Sequence, residues 1–338
     1  MVFKIWLWLA TCAQVVWCMK HHTESTSKLE SSRRAQESLT RALGVVMQHL
    51  HDDQVVEVML NPTGDLWTDS HQTGMQCVGT VNSVQAMTII TTTAAILNTV
   101  VNSEKPILEC ELPFNGSRFE ALIPPLVAAP TFTIRKKARL IFTIDDYINS
   151  RIMTIEQSDS IKLAIKEKKN ILIAGGTGTG KTTLANAIIN DIANISPNDR
   201  LVIIEDVLEL QSSIKNTVFL RTSENIDQVS LLRATLRLRP DRIIVGEVRD
   251  KSALALLKAW NTGHPGGIGT VHANTASAAL TRIEQLIQEA GVPPVPQLIC
   301  EAVNLVINIR RTPIGRKIEE ICEVIDYNQE NGYVLKKV

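Results

Sequence analysis

The segment Ile171–Thr183 reads ILIAGGTGTGKTT, and it decides how the rest of the chain is interpreted. Its apolar residues Ile171–Ala174 are typical of a buried strand, and the residues after them fit the pattern G-x-x-x-x-G-K-[ST]. Glycines let the backbone fold so that several N–H groups point into one concavity, and a following helix adds the positive end of its dipole. The pattern therefore predicts a phosphate-binding loop between a strand and a helix.

The residues expected to hold phosphate are the loop itself and the first turn of the helix. They are Gly175, Gly176, Thr177, Gly178, Thr179, Gly180, Lys181, Thr182 and Thr183. Lys181 is expected to contact the β- and γ-phosphates of a nucleotide, and the Thr182 hydroxyl is expected to bind Mg²⁺. The alternative, a glycine-rich turn with an accidental lysine, does not account for the strand and helix on either side.

The rest of the chain is interpreted outward from this loop. After about residue 143, short apolar runs alternate with helical segments, which is typical of a mostly parallel α/β sheet. The strands predicted there are 170–174, 201–204, 218–221, 242–245 and 268–271. Before residue 143 the pattern predicts an α+β domain, with helices at 31–51 and 83–101 and mostly antiparallel strands at 55–60, 65–69, 107–112, 118–123 and 131–136. We expect a poorly defined segment 1–30, an N-terminal domain 31–142, a linker 143–152 and a second domain 153–338.

Carboxylates follow two of the strands predicted in the second half. Glu205 and Asp206 come after strand 201–204, and Glu247 comes shortly after strand 242–245. The carboxyl ends of parallel strands form the edge of a sheet at which ligands bind. Glu247 is expected to polarise an attacking water, and Glu205 and Asp206 are expected to orient that water or to hold Mg²⁺, in part through water. A helix cap or a solvated turn is the alternative for Glu205 and Asp206.

Other charged residues near these strands have open assignments. His272 ends the strand 268–271 and is expected to sense the γ-phosphate or to hold hydrogen bonds of the site, with simple packing as the alternative. Arg249 is expected to pair with a carboxylate, either as part of the site or as a structural ion pair. A role toward a neighbouring subunit is left open for five further arginines: Arg221, Arg233, Arg237, Arg239 and Arg242.

Composition narrows the function classes. The 338 residues carry 35 basic and 35 acidic side chains, and this balance argues against a protein that binds nucleic acid mainly by charge. Aromatic residues make up only 4% of the chain, too few for base-stacking platforms to dominate. The six cysteines form no CxxC pair, which argues against a zinc site, and the chain is too long to be a disulfide scaffold.

The first residues are interpreted separately. Ile5–Cys18 is a 14-residue apolar-rich run, shorter than the ~20 residues of a comfortable membrane span. It is interpreted as residues upstream of a true start at Met19, with a peripheral membrane anchor or the core of a signal peptide as alternatives.

Four motifs in sequence order resemble those of the secretion ATPases, the traffic ATPases of type IV and type II secretion and of type IV pili. They are Gly175–Thr182, Ile203–Leu210, Gly246–Arg249 and Gly269–Asn274. Softer motifs are similar to those of the family's conjugal-transfer members: Val56–Pro62, Glu111–Pro113, Gly116–Glu120, Arg237–Arg242 and Lys258–Gly267. The resemblance covers about residues 40–330 and therefore both halves of the chain.

The resemblance implies an architecture and a second set of site residues. It implies that the α/β half is a RecA-like P-loop domain, that six subunits form a ring, and that ATP binds between the two domains. Family members place arginines of the N-terminal domain on the nucleotide phosphates, and the matching positions here are Arg118 and Arg135. A planar guanidinium suits that role because it meets phosphate oxygens bidentately. Arginines that merely lie on a strand surface are the alternative.

The function implied is that of a cytoplasmic hexameric ATPase, peripheral at the inner membrane, that hydrolyses ATP with Mg²⁺ and powers conjugative type IV secretion. Its expected partners are inner-membrane components of that apparatus, and no direct contact with nucleic acid is expected. One alternative is a motor of type II secretion or of pilus assembly, although those usually carry a tetracysteine zinc module that this sequence lacks. The other is a nucleotide-gated scaffold that hydrolyses little ATP.

Overall fold

A computed structural model describes residues 30, 33–70, 73–137, 142–223, 225–313 and 315–338. The chain divides into two compact units, Met1–Arg139 and Leu140–Val338. The interpretation of Ile5–Cys18 lies outside the described residues. Within the described ranges, no helix combines the length and the apolarity needed to cross a membrane.

The first unit is built on a six-stranded antiparallel sheet. The strands are β1 (Val55–Leu60), β2 (Asp65–Ser70), β3 (Gly74–Thr80), β4 (Ile107–Glu111), β5 (Arg118–Leu122) and β6 (Thr131–Arg135). Their order in the sheet is β3-β2-β1-β6-β5-β4. Burial alternates along the inner strands: Phe119 and Ala121 of β5 are buried, as are Phe132 and Ile134 of β6, while their neighbours are not. One face of the sheet therefore packs into a core, as the period of two requires.

Helices supply the rest of that core. Residues 33–43 form α1, followed by α2 (Val46–His51) and α3 (Ser83–Ile96). The helix predicted over 31–51 is interrupted because Gly44 takes a positive φ of 51° and the chain turns there. The helix predicted over 83–101 ends at Ile96, because Asn98 takes a left-handed φ of 54° that cannot continue it.

The second unit contains an eight-stranded sheet in the order β14-β13-β12-β7-β11-β10-β8-β9. The six strands from β12 to β9 in that order run parallel to one another. β13 pairs antiparallel with β12, and β14 pairs antiparallel with β13. The strands are β7 (Ile171–Ala174), β8 (Leu201–Glu205), β9 (Thr217–Arg221), β10 (Arg242–Val245), β11 (Ile268–Val271), β12 (Leu305–Thr312), β13 (Gly315–Asn328) and β14 (Gly332–Lys337). The prediction of a mostly parallel α/β sheet after an α+β half is confirmed.

Seven helices of the second unit lie among these strands in the described sequence. They are α4 (Ile144–Asn149), α5 (Ile155–Lys166), α6 (Lys181–Ile195), α7 (Gln228–Thr235), α8 (Ser252–Asn261), α9 (Ala276–Gln288) and α10 (Pro296–Ala302). Every residue of β7, β10 and β11 is buried, and two apolar cores contain the side chains of this sheet. Continuous apolar strands follow from this burial on both faces.

The segment 143–152, predicted as a linker, contains structured residues of the second unit. Thr143 begins α4 with a capping box, since its hydroxyl accepts the N–H of Asp146 and the Asp146 carboxylate accepts the N–H of Thr143. Ile144 and Tyr147 are buried in the core of this unit. Capping and burial therefore hold this segment in the second unit. The domain limits expected from the sequence, 31–142 and 153–338, stay a prediction.

Candidate functional site

The glycine-rich loop leaves the carboxyl end of β7, between β12 on one side and β11 on the other. A Cβ on Gly175 would lie 2.5 Å from the Thr179 hydroxyl oxygen and 2.6 Å from the carbonyl oxygen of Ile309, so no side chain fits there. Gly178 and Gly180 take φ values of 70° and 98°, which favour glycine. The shape of this loop thus requires glycine at positions 175, 178 and 180.

Lys181 begins α6 and is almost fully buried, with 8% of its surface exposed. Its Nζ donates hydrogen bonds to the carbonyl oxygens of Gly175 and Gly176, each at 2.9 Å, and lies 3.2 Å from Nδ1 of His272. Thr182 and Thr183 follow in the first helical turn and are half-buried. The turn therefore presents backbone N–H groups, an ammonium group and two hydroxyls at one point, which is the chemistry that holds phosphate.

His272 follows β11 and connects Lys181 to the acidic side of the site. Its Nε2 lies 3.2 Å from Oε1 of Glu247, opposite the Nδ1 contact with Lys181. An ammonium group can only donate, so Nδ1 accepts from Lys181 and Nε2–H donates to Glu247. Burial lowers the pKa of His272, and the charge of Lys181 lowers it further, against the opposing effect of Glu247. Near neutral pH this ring is therefore an uncharged bridge.

Glu247 follows β10 and is held from two sides. Its Oε2 accepts a hydrogen bond from the Arg249 guanidinium at 2.7 Å, while Oε1 accepts from His272. Burial raises the pKa of Glu247, but Arg249, then His272 and Lys181, lower it more, and the net direction is downward. A carboxylate with this pKa is a weak base, so its chemical capacity is to orient a polar molecule by accepting hydrogen bonds.

The other two predicted carboxylates lie at the end of the neighbouring strand β8. Asp206 pairs with Arg249 at 3.1 Å and accepts a hydrogen bond from the Thr222 hydroxyl at 2.9 Å. Glu205 is buried, and its Oε1 accepts the backbone N–H groups of Glu209 and Leu210. Arg249 therefore joins Asp206 to Glu247, while Glu205 anchors the chain that leaves β8.

Gly246 permits the close approach of these two strand ends. A Cβ at position 246 would lie 2.8 Å from Cγ of Glu205. The glycine before Glu247 thus makes room for the buried Glu205 of the adjacent strand. This close approach explains why a glycine precedes Glu247.

Apart from the glycine-rich loop and from Glu205, which binds backbone N–H groups after β8, the predicted site residues fall into two groups. Lys181, His272, Glu247 and Asp206 form one continuous chain of contacts through Arg249 in the second unit. Arg118 and Arg135 lie in the first unit, where β5 and β6 place them directly opposite one another. Their predicted contact with nucleotide phosphates stays a prediction.

The two arginines belong to a charged row on the face of the first sheet opposite Phe119 and Ile134. In register across β1, β6, β5 and β4 stand Glu57, Arg135, Arg118 and Glu111. The Nε of Arg135 lies 3.6 Å from Oε1 of Glu57. Carboxylates on the neighbouring strands β1 and β4 thus flank the two like charges, whose direct opposition would otherwise be unfavourable.

Arg242 does not face outward, contrary to the role left open for it at a subunit contact. It is 1% exposed, and its guanidinium donates to Asp199 at 2.6 Å and to the carbonyl oxygens of Gly266 and Ile165. It therefore cross-links the end of α5 to two loops of its own unit. The local sequence does not predict this buried position, because the acceptors of the guanidinium lie 24 to 77 residues away in the chain.

The site fits a nucleotide with Mg²⁺ by its shape and its donor set. A side chain at Gly175 would fill the curve of the loop, and the hydroxyl of Thr182 and the carboxylate of Asp206 are oxygen donors of the kind that Mg²⁺ prefers. Among the described residues, no three His, Cys, Asp or Glu side chains form a group that could hold a metal by themselves. In phosphoryl-transfer sites Mg²⁺ is generally held by one or two protein oxygens, and phosphate oxygens and water complete its coordination.

Comparisons with known proteins show which family this chain resembles. Residues 40–335 match the family described as "Type II/IV secretion system protein". The chain is 50% identical to a "Probable conjugal transfer protein TrbB" of Sinorhizobium fredii over 292 residues, covering 86% of this chain and 89% of the relative. It is 48% identical to "Conjugal transfer protein TrbB" of Rhizobium radiobacter over 299 residues, covering 88% and 92%.

A solved structure supports the fold. The chain is similar to the ATPase DotB of Legionella pneumophila with a TM-score of 0.59 and 18% identity, covering 84% of this chain and 80% of the other. At that identity the likeness concerns the fold alone. The match over both units and the identity with the two conjugal transfer proteins show the family directly: the chain belongs to the type II/IV secretion system proteins.

Proposed function

We propose that this protein is an ATPase that hydrolyses ATP with Mg²⁺ and powers a conjugative type IV secretion system. The observation that carries the proposal is the hydrogen-bonded chain from Lys181 through His272 to Glu247. It joins the phosphate loop to a carboxylate that can orient water. The two conjugal transfer relatives support the choice of conjugation over type II secretion or pilus assembly.

Each residue of the chain has a task that its environment supports. Lys181 neutralises charge that develops on the transferred phosphoryl group, and the N–H groups of the loop bind its oxygens. Glu247 accepts a hydrogen bond from the attacking water, and its lowered pKa suits this orienting role, because phosphoryl transfer depends little on a strong base. Mg²⁺ supplies further neutralisation of phosphate charge when it is held by Thr182 and, directly or through water, by Asp206.

Arg249 and His272 give the site its rigidity. Arg249 fixes Oε2 of Glu247 and also pairs with Asp206, so one guanidinium sets the positions of the water-orienting group and the proposed metal ligand. His272 fixes Oε1 of the same carboxylate. If a phosphate displaces Lys181, the imidazole of His272 loses a hydrogen-bond donor and its contact with Glu247 changes. In this way His272 senses the γ-phosphate.

The assembly that we propose is a homohexamer, peripheral at the cytoplasmic side of the inner membrane, docked on membrane components of the secretion apparatus. Arg118 and Arg135 then supply positive charge to the nucleotide from the first unit. The likeness to two conjugal transfer proteins supports a conjugative apparatus as the place where this assembly acts. Coupling of hydrolysis to movement requires that the open and closed states differ in affinity for ATP and ADP.

The test is steady-state ATP hydrolysis by the full chain and by Glu247→Gln, with particle mass measured with and without Mg·ATP. We expect hydrolysis by a hexamer, and a loss of about 10²-fold or more in kcat for the variant with ATP binding retained. The amide keeps the size of the side chain but removes the charge. If both proteins bind ATP tightly and form hexamers but neither hydrolyses ATP, the result would contradict a motor and favour a nucleotide-gated scaffold.

A further inference from the structure

The hairpin formed by β12 and β13 brings a basic residue onto the phosphate loop. Gly180 precedes Lys181, and a Cβ built on Gly180 would meet Cδ and Nε of Arg316 at 3.1 and 3.2 Å. Arg316 is the second residue of β13, and β12 lies directly beside β7 in the sheet. The guanidinium therefore stands at the start of α6, although 135 positions separate Arg316 from Lys181 in the sequence.

The polar end of this side chain is only partly satisfied. Its Nε is buried and has no hydrogen-bond partner within the part of the chain that the structure describes. A buried donor without a partner has lost its hydrogen bonds to water and gained none in return, and it is therefore rare in folded proteins. The orphaned donor lies beside a loop whose own N–H groups are arranged for an anion.

The surroundings of Arg316 are positive. Arg311 stands directly opposite it in the β12–β13 ladder, and like charges in such a pair repel. The N-terminus of α6 adds its dipole. The phenol of Tyr147 is close enough that the charge of Arg316 opposes the rise that burial causes in the tyrosine's pKa. An anion at this point would relieve the repulsion and satisfy the buried donor.

The sheet order indicates which part of a nucleotide lies there. Glu247 and Asp206 come from β10 and β8, on the β11 side of the loop, whereas Arg316 is on the β12 side. The terminal phosphate must meet Glu247 and Lys181, so the rest of the nucleotide extends toward the opposite flank. We infer that Arg316 binds the α-phosphate of the nucleotide, which ATP and ADP share. This inference rests on the proposed function and adds a binding residue to the same site.

The experiment is calorimetric titration of the full chain with ADP, together with steady-state ATP hydrolysis, for wild type, Arg316→Met and Arg316→Lys. Lys317→Met is the matched control, because Lys317 is the next residue of β13 and is exposed. For Arg316→Met we expect the affinity for ADP to fall about tenfold or more and the KM for ATP to rise by the same factor, since a hydrogen bond to a charged group is lost. kcat should change less than about twofold, and the control should match wild type.

The conservative variant and the choice of nucleotide sharpen the result. Arg316→Lys keeps the charge but not the planar fork, so its affinity for ADP should lie between those of wild type and Arg316→Met. The ratio of the affinities for ADP and GDP should be the same in the variants and in wild type, because the contact is to phosphate. A changed ratio would assign Arg316 to the base and overturn the inference. Unchanged ADP affinity with a lower melting temperature would also overturn it, because the arginine would then only pack on Gly180.

The ADP titration separates this inference from the proposed ATPase. A wild-type protein that binds ADP without hydrolysing ATP contradicts the motor, while the variants still decide the role of Arg316. A wild-type protein that binds no ADP overturns both.

Discussion

The two sheets of this protein are built on opposite principles. The parallel strands β7, β10 and β11 are buried throughout, and chemistry is placed only where they end. The antiparallel strands β5 and β6 bury alternate residues and carry charged side chains along the other face. A sheet covered on both faces can present functional groups only at its edge, whereas a sheet covered on one face can present them along its length.

Two ion pairs make this contrast measurable. Arg242 and Asp199 lie 2.6 Å apart, with side chains 1% and 14% exposed, at the base of the parallel sheet. Arg135 and Glu57 lie 3.6 Å apart on the antiparallel sheet, with side chains 40% and 29% exposed. Both pairs join an arginine to a carboxylate, but solvent screens only the second one well.

The largest expected effect is the loss of the buried pair. Arg242→Met should lower the free energy of unfolding of the second unit by about 3–5 kcal/mol, because Asp199 and two buried carbonyl groups lose a donor. Hydrogen exchange of β10 peptides in increasing urea would measure it. Arg135→Met serves as the control and should cost less than about 1 kcal/mol in β6 peptides. Equal losses in the two units would contradict the contrast between the sheets.

A change in the polarity of one side chain in each sheet gives the next largest effect. Ile244→Thr places a hydroxyl in a strand buried on both faces and should cost roughly 2–4 kcal/mol, combining a lost apolar contact with an unsatisfied group. Thr133→Val is the converse change on the open face of β6 and should stay within about 0.5 kcal/mol. Urea denaturation of both variants would measure this. A large effect of Thr133→Val would mean that this face is packed as tightly as the parallel sheet.

The pH dependence of hydrolysis tests chemistry placed at a strand end. The pKa of His272 is lowered below its usual value of about 6.5, by burial first and then by Lys181, while Glu247 stays ionised because its pKa is also lowered. ATP hydrolysis should therefore be level from pH 8 to pH 6.5. It should fall below that, about tenfold per unit of pH once the pH lies below the pKa of His272, because protonated Nδ1 no longer accepts from Lys181.

The control for that profile is His272→Gln, whose amide does not titrate. It should be less active near neutral pH and should lack the acid limb. An acid limb that persists in the variant would assign the titration to a different group.

The smallest effect is expected for the carboxylate that flanks the arginine row. Glu57→Gln should change the free energy of unfolding by less than about 1 kcal/mol, because a half-exposed pair gains little in high dielectric. Thermal unfolding at low and high salt would measure it, and added salt should shrink the difference between variant and wild type further. A loss above 2 kcal/mol would mean that the row is part of a tightly packed contact.

Five of the six parallel strands, all except β12, were predictable because each is a short apolar run that ends in a loop or a charged residue. All five predicted strands of the second half are present within a residue or two of their expected limits. The strand β3 was missed because GMQCVGT contains two glycines and no clear alternation. β12, β13 and β14 were also missed, since β13 mixes charged and apolar residues over 14 positions and is held by antiparallel pairing with both neighbours.

Like the fold, the candidate site was predictable only in part. Lys181, Glu247 and His272 follow strands that the sequence reveals, and parallel strands bring their carboxyl ends to one edge. The internal roles of Arg242 and Arg316 were not predictable, because their contacts come from loops and hairpins far away in the chain. Neither arginine lies in a motif with a physical signature of its own.

The sequence by itself determined the phosphate loop, because strand, glycines, lysine and helix are local and nearly contiguous. It also determined five strands of the parallel core, since burial on both faces demands continuous apolar runs. Only the tertiary structure decided that His272 bridges Lys181 to Glu247, that Arg249 joins two carboxylates, and that Arg316 lies on Gly180. These contacts depend on distances between separate strand ends, which the packing of the whole sheet fixes and which no local pattern encodes.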